Sequence, residues 1–280
     1  MSADRRSGAR RPSPRPVAGH VARKRFGQHF LCDRAILAAI LEAIDPRPDD
    51  ALLEIGPGLG VLTAELLACV PRIAAVEIDR DLCARLRRRF GDDRLLLFEA
   101  DALEFEPAQA AQALGAERLR VVGNLPYNIS SPLLVALLSA RAQVVDQHFL
   151  LQKEVVERIV SQPGSTSYGR LSVLLQAFYQ VDLLFEVPPE SFDPPPRVDS
   201  AVLRMTPLKS PLIDDPAALQ AVLVPAFAQR RKMIRSTLLP WLRERGVDAP
   251  GLAGDCRAEE IGVEQYCELA RQLRSISSIL

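Results

Sequence analysis

Along the chain, short apolar runs alternate with stretches in which apolar residues recur every three or four positions. The runs are Ala51–Gly56, Arg72–Asp79, Arg94–Asp101, Leu119–Pro126 and Gln147–Gln152. They are rich in Leu, Ile and Val and lack clean polar alternation, as strands covered on both faces do. Helical patterns lie between them, over residues 61–70, 80–90, 108–116 and 131–141. An earlier helix is expected over residues 33–44, where Ile36, Leu37, Ile40, Leu41 and Ile44 share a face behind Asp33 as N-cap. Strand–helix alternation of this kind predicts an α/β fold, a mostly parallel sheet with helices on both sides.

Two further strand-like runs, Leu183–Val187 and Ala201–Thr206, follow with no helical pattern between them. Their link is too short for a parallel return, so the last strand is expected to be antiparallel. Residues 208–216 read as a linker, and the pattern beyond is helical to the end. The expected organisation is an α/β domain over residues 21–207 and a small all-helical domain over 208–280, after an arm at 1–20.

The arm is set apart by charge. The chain carries 35 Lys and Arg against 35 Asp and Glu, yet eight basic residues and one acid fall within the first 25 positions. With Pro12, Pro14 and Pro16 and almost no large apolar side chain, residues 1–20 read as a disordered cationic arm. Such an arm serves either as a solubilising tail or as a contact to phosphate backbone. The three prolines interrupt the amphipathic helix that an organellar transit peptide would need. No apolar run approaches the ~20 residues that cross a bilayer, and no secretory signal is evident, so a cytoplasmic protein without a membrane partner is expected. Five scattered cysteines with no C-x-x-C pair, and only three histidines, argue against a disulfide framework and against a metal site.

Candidate chemistry starts at Glu54-Ile55-Gly56-Pro57-Gly58-Leu59-Gly60, where the first strand run turns into a helix. A glycine triplet by itself serves equally well as a structural turn. A dinucleotide fingerprint would want a third small residue at position 61, which is Val61. Acid-x-Gly-x-Gly-x-Gly is instead the pattern of S-adenosylmethionine-dependent methyltransferases. Glu77 ends the second run and could accept both hydroxyls of a ribose; Asp101 ends the third and could accept from an adenine amine. Each acid alone could be a solvated strand end, but ligands of open α/β sheets bind at that edge.

The fourth run ends in Gly123-Asn124-Leu125-Pro126-Tyr127-Asn128. Asn-x-Pro sequences often make a simple turn. They also suit methylation of an exocyclic amine. The Asn124 carboxamide oxygen and the Leu125 carbonyl can accept the N6 hydrogens of adenine, and Tyr127 offers a ring on which an extruded base stacks. His148, inside an apolar run, is expected to be a hydrogen-bonded core residue. Gln229–Arg235 is expected to place Arg230, Arg231, Lys232 and Arg235 on a helix, as a solvated face or as contacts to RNA phosphates.

Five segments together resemble the ribosomal RNA adenine dimethylase family: Arg25–Leu31, Glu54–Gly60, Gly123–Ser130, Leu151–Val155 and Phe192–Ser200. The resemblance runs from about residue 20 to the end. It implies a Rossmann-like class I methyltransferase sheet and dimethylation of two adjacent adenosines in the 3′-terminal hairpin of 16S rRNA. The partner would be 16S rRNA within an immature 30S subunit, with the protein acting as a monomer. It further implies that His29, Leu31, Gly56, Gly58, Glu77, Asp101 and Asn124 contact S-adenosylmethionine, which leaves as S-adenosylhomocysteine. Asn124 and Leu125 would grip the target base, and Tyr127 and Phe192 would sandwich it. The family more often has Asn at the position of His29, and the long basic head lies outside its usual start. The alternatives are a large-subunit rRNA dimethylase, a DNA adenine methylase and a ribosome-assembly factor without catalysis; the intact Asn124–Tyr127 sequence speaks against the last.

Overall fold

A computed structural model describes residues 28–277, and side-chain surroundings through residue 276. The basic arm at 1–20, and Arg25, Phe26 and Gly27 of the first segment, lie outside the described residues.

Seven strands form one sheet in the order β4-β3-β2-β5-β6-β9-β7. They are β2 (Leu52–Ile55), β3 (Ile73–Glu77), β4 (Leu95–Glu99), β5 (Leu119–Asn124), β6 (Val144–Gln152), β7 (Tyr179–Val187) and β9 (Ser200–Pro207). All pairings from β4 to β6 are parallel, and β9 runs antiparallel to both β6 and β7. The antiparallel strand is last in sequence as expected, but it is inserted beside β6 and leaves β7 at the sheet edge.

Successive side chains of a strand point to opposite faces, and the core divides accordingly. On β3, Ile73 and Ala75 belong to one apolar cluster, and Ala74 and Val76 to the other. The first cluster holds α1 (Arg34–Ile44), α2 (Val61–Cys69) and α3 (Arg80–Phe90) against the sheet. The second holds α4 (Pro107–Leu114) and α5 (Ser130–Ala136). Asp33 caps α1, accepting from the Ala35 and Ile36 N–H groups at 2.8 and 3.2 Å, a contact worth about 1 kcal/mol.

Several elements differ from the sequence pattern. Helix α5 stops at Ala136 because Leu138, Ser139 and Ala140 tighten into three-residue turns back to Val135, Ala136 and Leu137. Two helices that the pattern did not predict, α6 (Lys153–Val160) and α7 (Arg170–Gln176), precede β7. A two-stranded ribbon was also not expected. It pairs β1 (Phe30–Leu31) with β8 (Phe192–Asp193), setting Leu31 opposite Phe192.

The C-terminal region contributes α8 (Pro216–Phe227), α9 (Leu238–Arg243) and α10 (Val263–Ser277). Its core is continuous with the sheet's second cluster. The rings of Tyr168 and Tyr266 flank Phe227, at 6.4 and 5.7 Å between centroids. Gln229–Arg235 is not α-helical, contrary to expectation: turns lead into a short 3-10 helix at Ile234–Ser236. The chain turns after Phe227, and the Ile234 and Arg235 N–H groups are taken instead by the carbonyls of Cys256 and Gly254, at 2.9 and 3.1 Å. Among the described residues, no helix is long and apolar enough to cross a membrane.

Candidate active site

The carboxyl ends of β2, β3 and β5 open on a cavity of about 310 Å³. Its first wall is the turn from β2 into α2. Gly58 has φ of +58°, and a Cβ there would meet the Phe30 ring at 3.3 Å. Only glycine fits that conformation without strain, and it leaves the Gly58 N–H free to donate to Glu77 Oε2 at 3.2 Å. The Asp79 N–H donates to the other oxygen, Oε1, at 2.9 Å. Glu77 is thus fixed at the end of β3 with its carboxylate buried against the glycine turn. Burial pushes its carboxyl above the usual range, and the two N–H groups pull it back.

A second acid lies beneath. Glu54 is fully buried and accepts from Thr63 Oγ1 at 2.6 Å. Burial pushes its carboxyl up to about 7, partly offset by that hydrogen bond and reinforced by the negative charge of Glu77. Two buried acids give this wall a preference for hydroxyl donors and for cations. Asp101 lies two residues past the end of β4, half-buried, and its Oδ1 accepts the Leu103 N–H at 2.9 Å.

The opposite wall is the tip of β5. Gly123 has no room for a side chain, since a Cβ would lie 2.4 Å from the Ile55 carbonyl oxygen. That close approach of β5 to β2 brings Asn124 to the cavity. Asn124 Nδ2 donates to the His29 carbonyl at 2.9 Å. A carbonyl can only accept, so the amide orientation is fixed, and Oδ1 has no protein partner among the described residues. His29 is itself held, its Nδ1 donating to the Pro194 carbonyl at 2.7 Å. The His29 and Tyr127 rings stack with centroids 5.6 Å apart.

Nine of the sequence-derived residues therefore meet around one cavity: His29, Leu31, Gly56, Gly58, Glu77, Asp101, Asn124, Leu125 and Tyr127. Phe192 does not. It is 3% exposed and belongs to the apolar cluster of Leu31 and α1, because the β1–β8 ribbon turns its ring into the core. Sequence reasoning missed Ile78, a 44% exposed apolar side chain on the cavity wall directly after Glu77. Its signal was a large apolar residue just past a strand-end acid. His148 is buried as expected, but among the described residues neither ring nitrogen makes the expected hydrogen bond, and Asp146 Oδ1 is 3.7 Å from Nδ1. Burial drives its pKa down.

The C-terminal cations lie away from the cavity and differ among themselves. Arg231, Lys232 and Arg235 are exposed. Arg230 donates to the carbonyls of Thr166 and Tyr168 at 2.7 and 2.9 Å and pairs with Glu259 at 3.1 Å.

A Rossmann-like sheet with a glycine turn at its first parallel strand, an acid at the next and Asn-Leu-Pro-Tyr at the fourth defines a class I methyltransferase. The comparisons with known proteins narrow this further. The family model for ribosomal RNA adenine dimethylase matches residues 19–275, and the chain belongs to that family. It is 54% identical over 261 residues to ribosomal RNA small subunit methyltransferase A of Bordetella pertussis, covering 92% of this chain and 96% of that one. The protein of the same name from Leptothrix cholodnii is 52% identical over 261 residues, covering 92% and 94%. Among solved structures, a dimethyladenosine transferase from Plasmodium falciparum shares the fold, with a TM-score of 0.74 at 24% identity over 89% of this chain and 98% of that one. The 23S rRNA methyltransferase ErmE matches with a TM-score of 0.64 at 26% identity, covering 88% and 99%.

Proposed function

We propose that this protein transfers methyl groups from S-adenosylmethionine to the N6 amines of two adjacent adenosines in the 3′-terminal hairpin of 16S rRNA. It acts in the cytoplasm on immature 30S subunits and yields N6,N6-dimethyladenosine. The observation that carries the reading is the Asn124 amide. Its nitrogen is tied to the His29 carbonyl, so its oxygen faces the cavity with no protein partner among the described residues.

The cavity suits the cofactor. Glu77 would hold the ribose hydroxyls, Ile78 and Asp101 the adenine, and Gly56, Gly58, His29 and Leu31 the remainder. When bound, the cofactor supplies a methyl group activated on a sulfonium. The residues at the tip of β5 prepare the acceptor. Adenine N6 is a poor nucleophile because its lone pair is delocalised into the ring. Asn124 Oδ1 and the Leu125 carbonyl accept its two hydrogens, which draws the nitrogen toward tetrahedral geometry and frees the lone pair. Tyr127 stacks on the base, a contact worth ~1–3 kcal/mol. The nitrogen becomes cationic on taking the methyl group, is then strongly acidic and loses a proton to solvent, so the site needs no strong base. Catalysis here is positioning.

Arg231, Lys232 and Arg235 are the RNA-phosphate contacts of this reading, and Arg230, also exposed, is anchored beside them to Thr166, Tyr168 and Glu259. The small-subunit substrate is favoured over a large-subunit one by the names of relatives above 50% identity. A purely structural role in assembly would not require the oriented Asn124 amide. The test is radiolabelled methyl transfer to unmethylated 30S particles, 50S particles and duplex DNA, with mass spectrometry of the digested RNA. Label in 30S RNA as tandem dimethyladenosine is expected. Label only in 50S RNA or DNA, or none at all, overturns the proposal.

A further inference from the structure

Tyr127 sits in the short loop between β5 and α5, where side chains ordinarily sample several orientations, yet the residue is tied at its backbone and at the far end of its ring. At the backbone, the Tyr127 carbonyl accepts from Ser130 Oγ at 3.1 Å. At the far end of the ring, the phenol oxygen lies 2.6 Å from Ser200 Oγ, in hydrogen-bond contact. Ser200 is fully buried as the first residue of β9, opposite Gln152 on β6 and Val187 on β7. Its Cα therefore cannot follow a movement of the loop. A hydroxyl at such a site gives up its hydration, which disfavours it unless it is hydrogen-bonded. Its side-chain partner is Tyr127, and it is the fixed post to which the ring is moored.

We propose that Ser200 is a positioning residue for methyl transfer, acting through Tyr127, and that its effect falls chiefly on the second methylation. The inference rests on the function proposed above. Unmethylated adenine presents two N6 hydrogens, one for Asn124 Oδ1 and one for the Leu125 carbonyl. After the first transfer only one hydrogen remains, and the new methyl group must be turned out of the way. Half of the polar grip is gone at that step, so the plane of the stacked base, set by Tyr127, decides whether the lone pair points at the donor. A ring released from Ser200 would still stack on the base and keep its contact with the His29 ring, but it would lose the hydrogen bond that fixes its far end, so its plane would be held less tightly. The first transfer tolerates this because two hydrogen bonds still orient the amine.

The test compares Ser200→Ala, Tyr127→Phe and the double variant on unmethylated 30S particles, following mono- and dimethyladenosine over time. Each single change removes the same hydrogen bond from a different side, so the effects should not multiply. The second methylation is expected to slow about tenfold in each variant and no further in the double; in Ser200→Ala, whose residue lies outside the cavity lining, the first stays within about threefold and KM is unchanged. N6-methyladenosine should accumulate in all three, and Ser200→Thr, which keeps the hydroxyl, should restore the wild-type product ratio. A double variant about a hundredfold slower, the product of two independent losses, would overturn the proposal. So would a wild-type product ratio in either single variant. Calorimetric binding of S-adenosylhomocysteine reports whether each variant is folded. If Ser200→Ala fails it, Tyr127→Phe decides alone by the same product ratio. A wild-type protein that leaves 30S RNA unlabelled would instead remove the functional reading itself, and this inference with it.

Discussion

Asn124 and His29 are 95 residues apart in the chain, yet the Asn124 side-chain nitrogen donates to the His29 backbone carbonyl at 2.9 Å. The contact joins the residue just before β1 to the tip of β5, and it orients the amide whose oxygen the proposed reaction uses. Asn124→Ala removes both functions. Turnover is expected to fall about a hundredfold or more, the scale of losing one preorganised hydrogen-bonding group. Cofactor affinity should remain within about tenfold. Asn124→Asp should be as inactive, because a carboxylate cannot donate to the carbonyl. Methyl-transfer kinetics beside calorimetry with S-adenosylhomocysteine separate the two quantities, and a loss confined to KM would contradict the role.

Glu77 should behave in the opposite way. Its two oxygens accept from Gly58 and Asp79, which aims the carboxylate along the cavity wall. Hydrogen bonds to a charged group are worth about 1.5–3 kcal/mol, so Glu77→Ala should weaken S-adenosylhomocysteine binding about tenfold to a hundredfold. Glu77→Gln should lose less, because its side-chain oxygen still accepts. Turnover at saturating cofactor should change little in either. Unchanged affinity in calorimetry would exclude Glu77 from the cofactor site.

Glu54 yields a prediction about pH and stability. Its folded carboxyl is pushed up to about 7 by burial, against an ordinary value of 4.5. The folded state therefore holds a proton that the unfolded chain releases. This contribution favours folding below about 4.5 and is lost as pH rises through about 7. Glu54→Gln stays neutral and still accepts from Thr63. Its melting temperature should match the wild type near pH 4.5 and exceed it at pH 8, by no more than ~3 kcal/mol of stability. Parallel melting curves of the cofactor-free proteins across that range would refute the assignment.

Much of this site was legible in the chain because it is written in contiguous residues. The Glu54–Gly60 turn, Glu77 and Asn124–Tyr127 each sit at the end of a buried strand, and the alternation of strands and helices places those ends on one edge. What local pattern could not supply was pairing between distant segments. The two-residue strands β1 and β8 carry too little periodicity to be read, yet their register decides that Phe192 faces the core. The helix expected over Gln229–Arg235 failed for a similar reason. Two of its backbone donors, those of Ile234 and Arg235, bond to Cys256 and Gly254, some twenty residues away.

The four cations after α8 looked equivalent in sequence, but their surroundings divide them, and the division can be measured. Arg230 bonds to two carbonyls and to Glu259, whereas Arg231, Lys232 and Arg235 face solvent. Substituting these three by Gln should weaken binding to 30S particles and flatten the dependence of log affinity on log salt. Each lost phosphate contact lowers that slope by ~0.7–0.9. Cofactor affinity and melting temperature should be unaffected, since exposed charges add little to stability. Arg230→Gln should act through the fold instead. It leaves the Thr166 and Tyr168 carbonyls without their donor and should cost about 1 kcal/mol of stability, most of the ion pair being screened by solvent. Its salt slope should stay near that of the wild type. An unchanged slope in the triple variant would show that the RNA phosphates are held elsewhere.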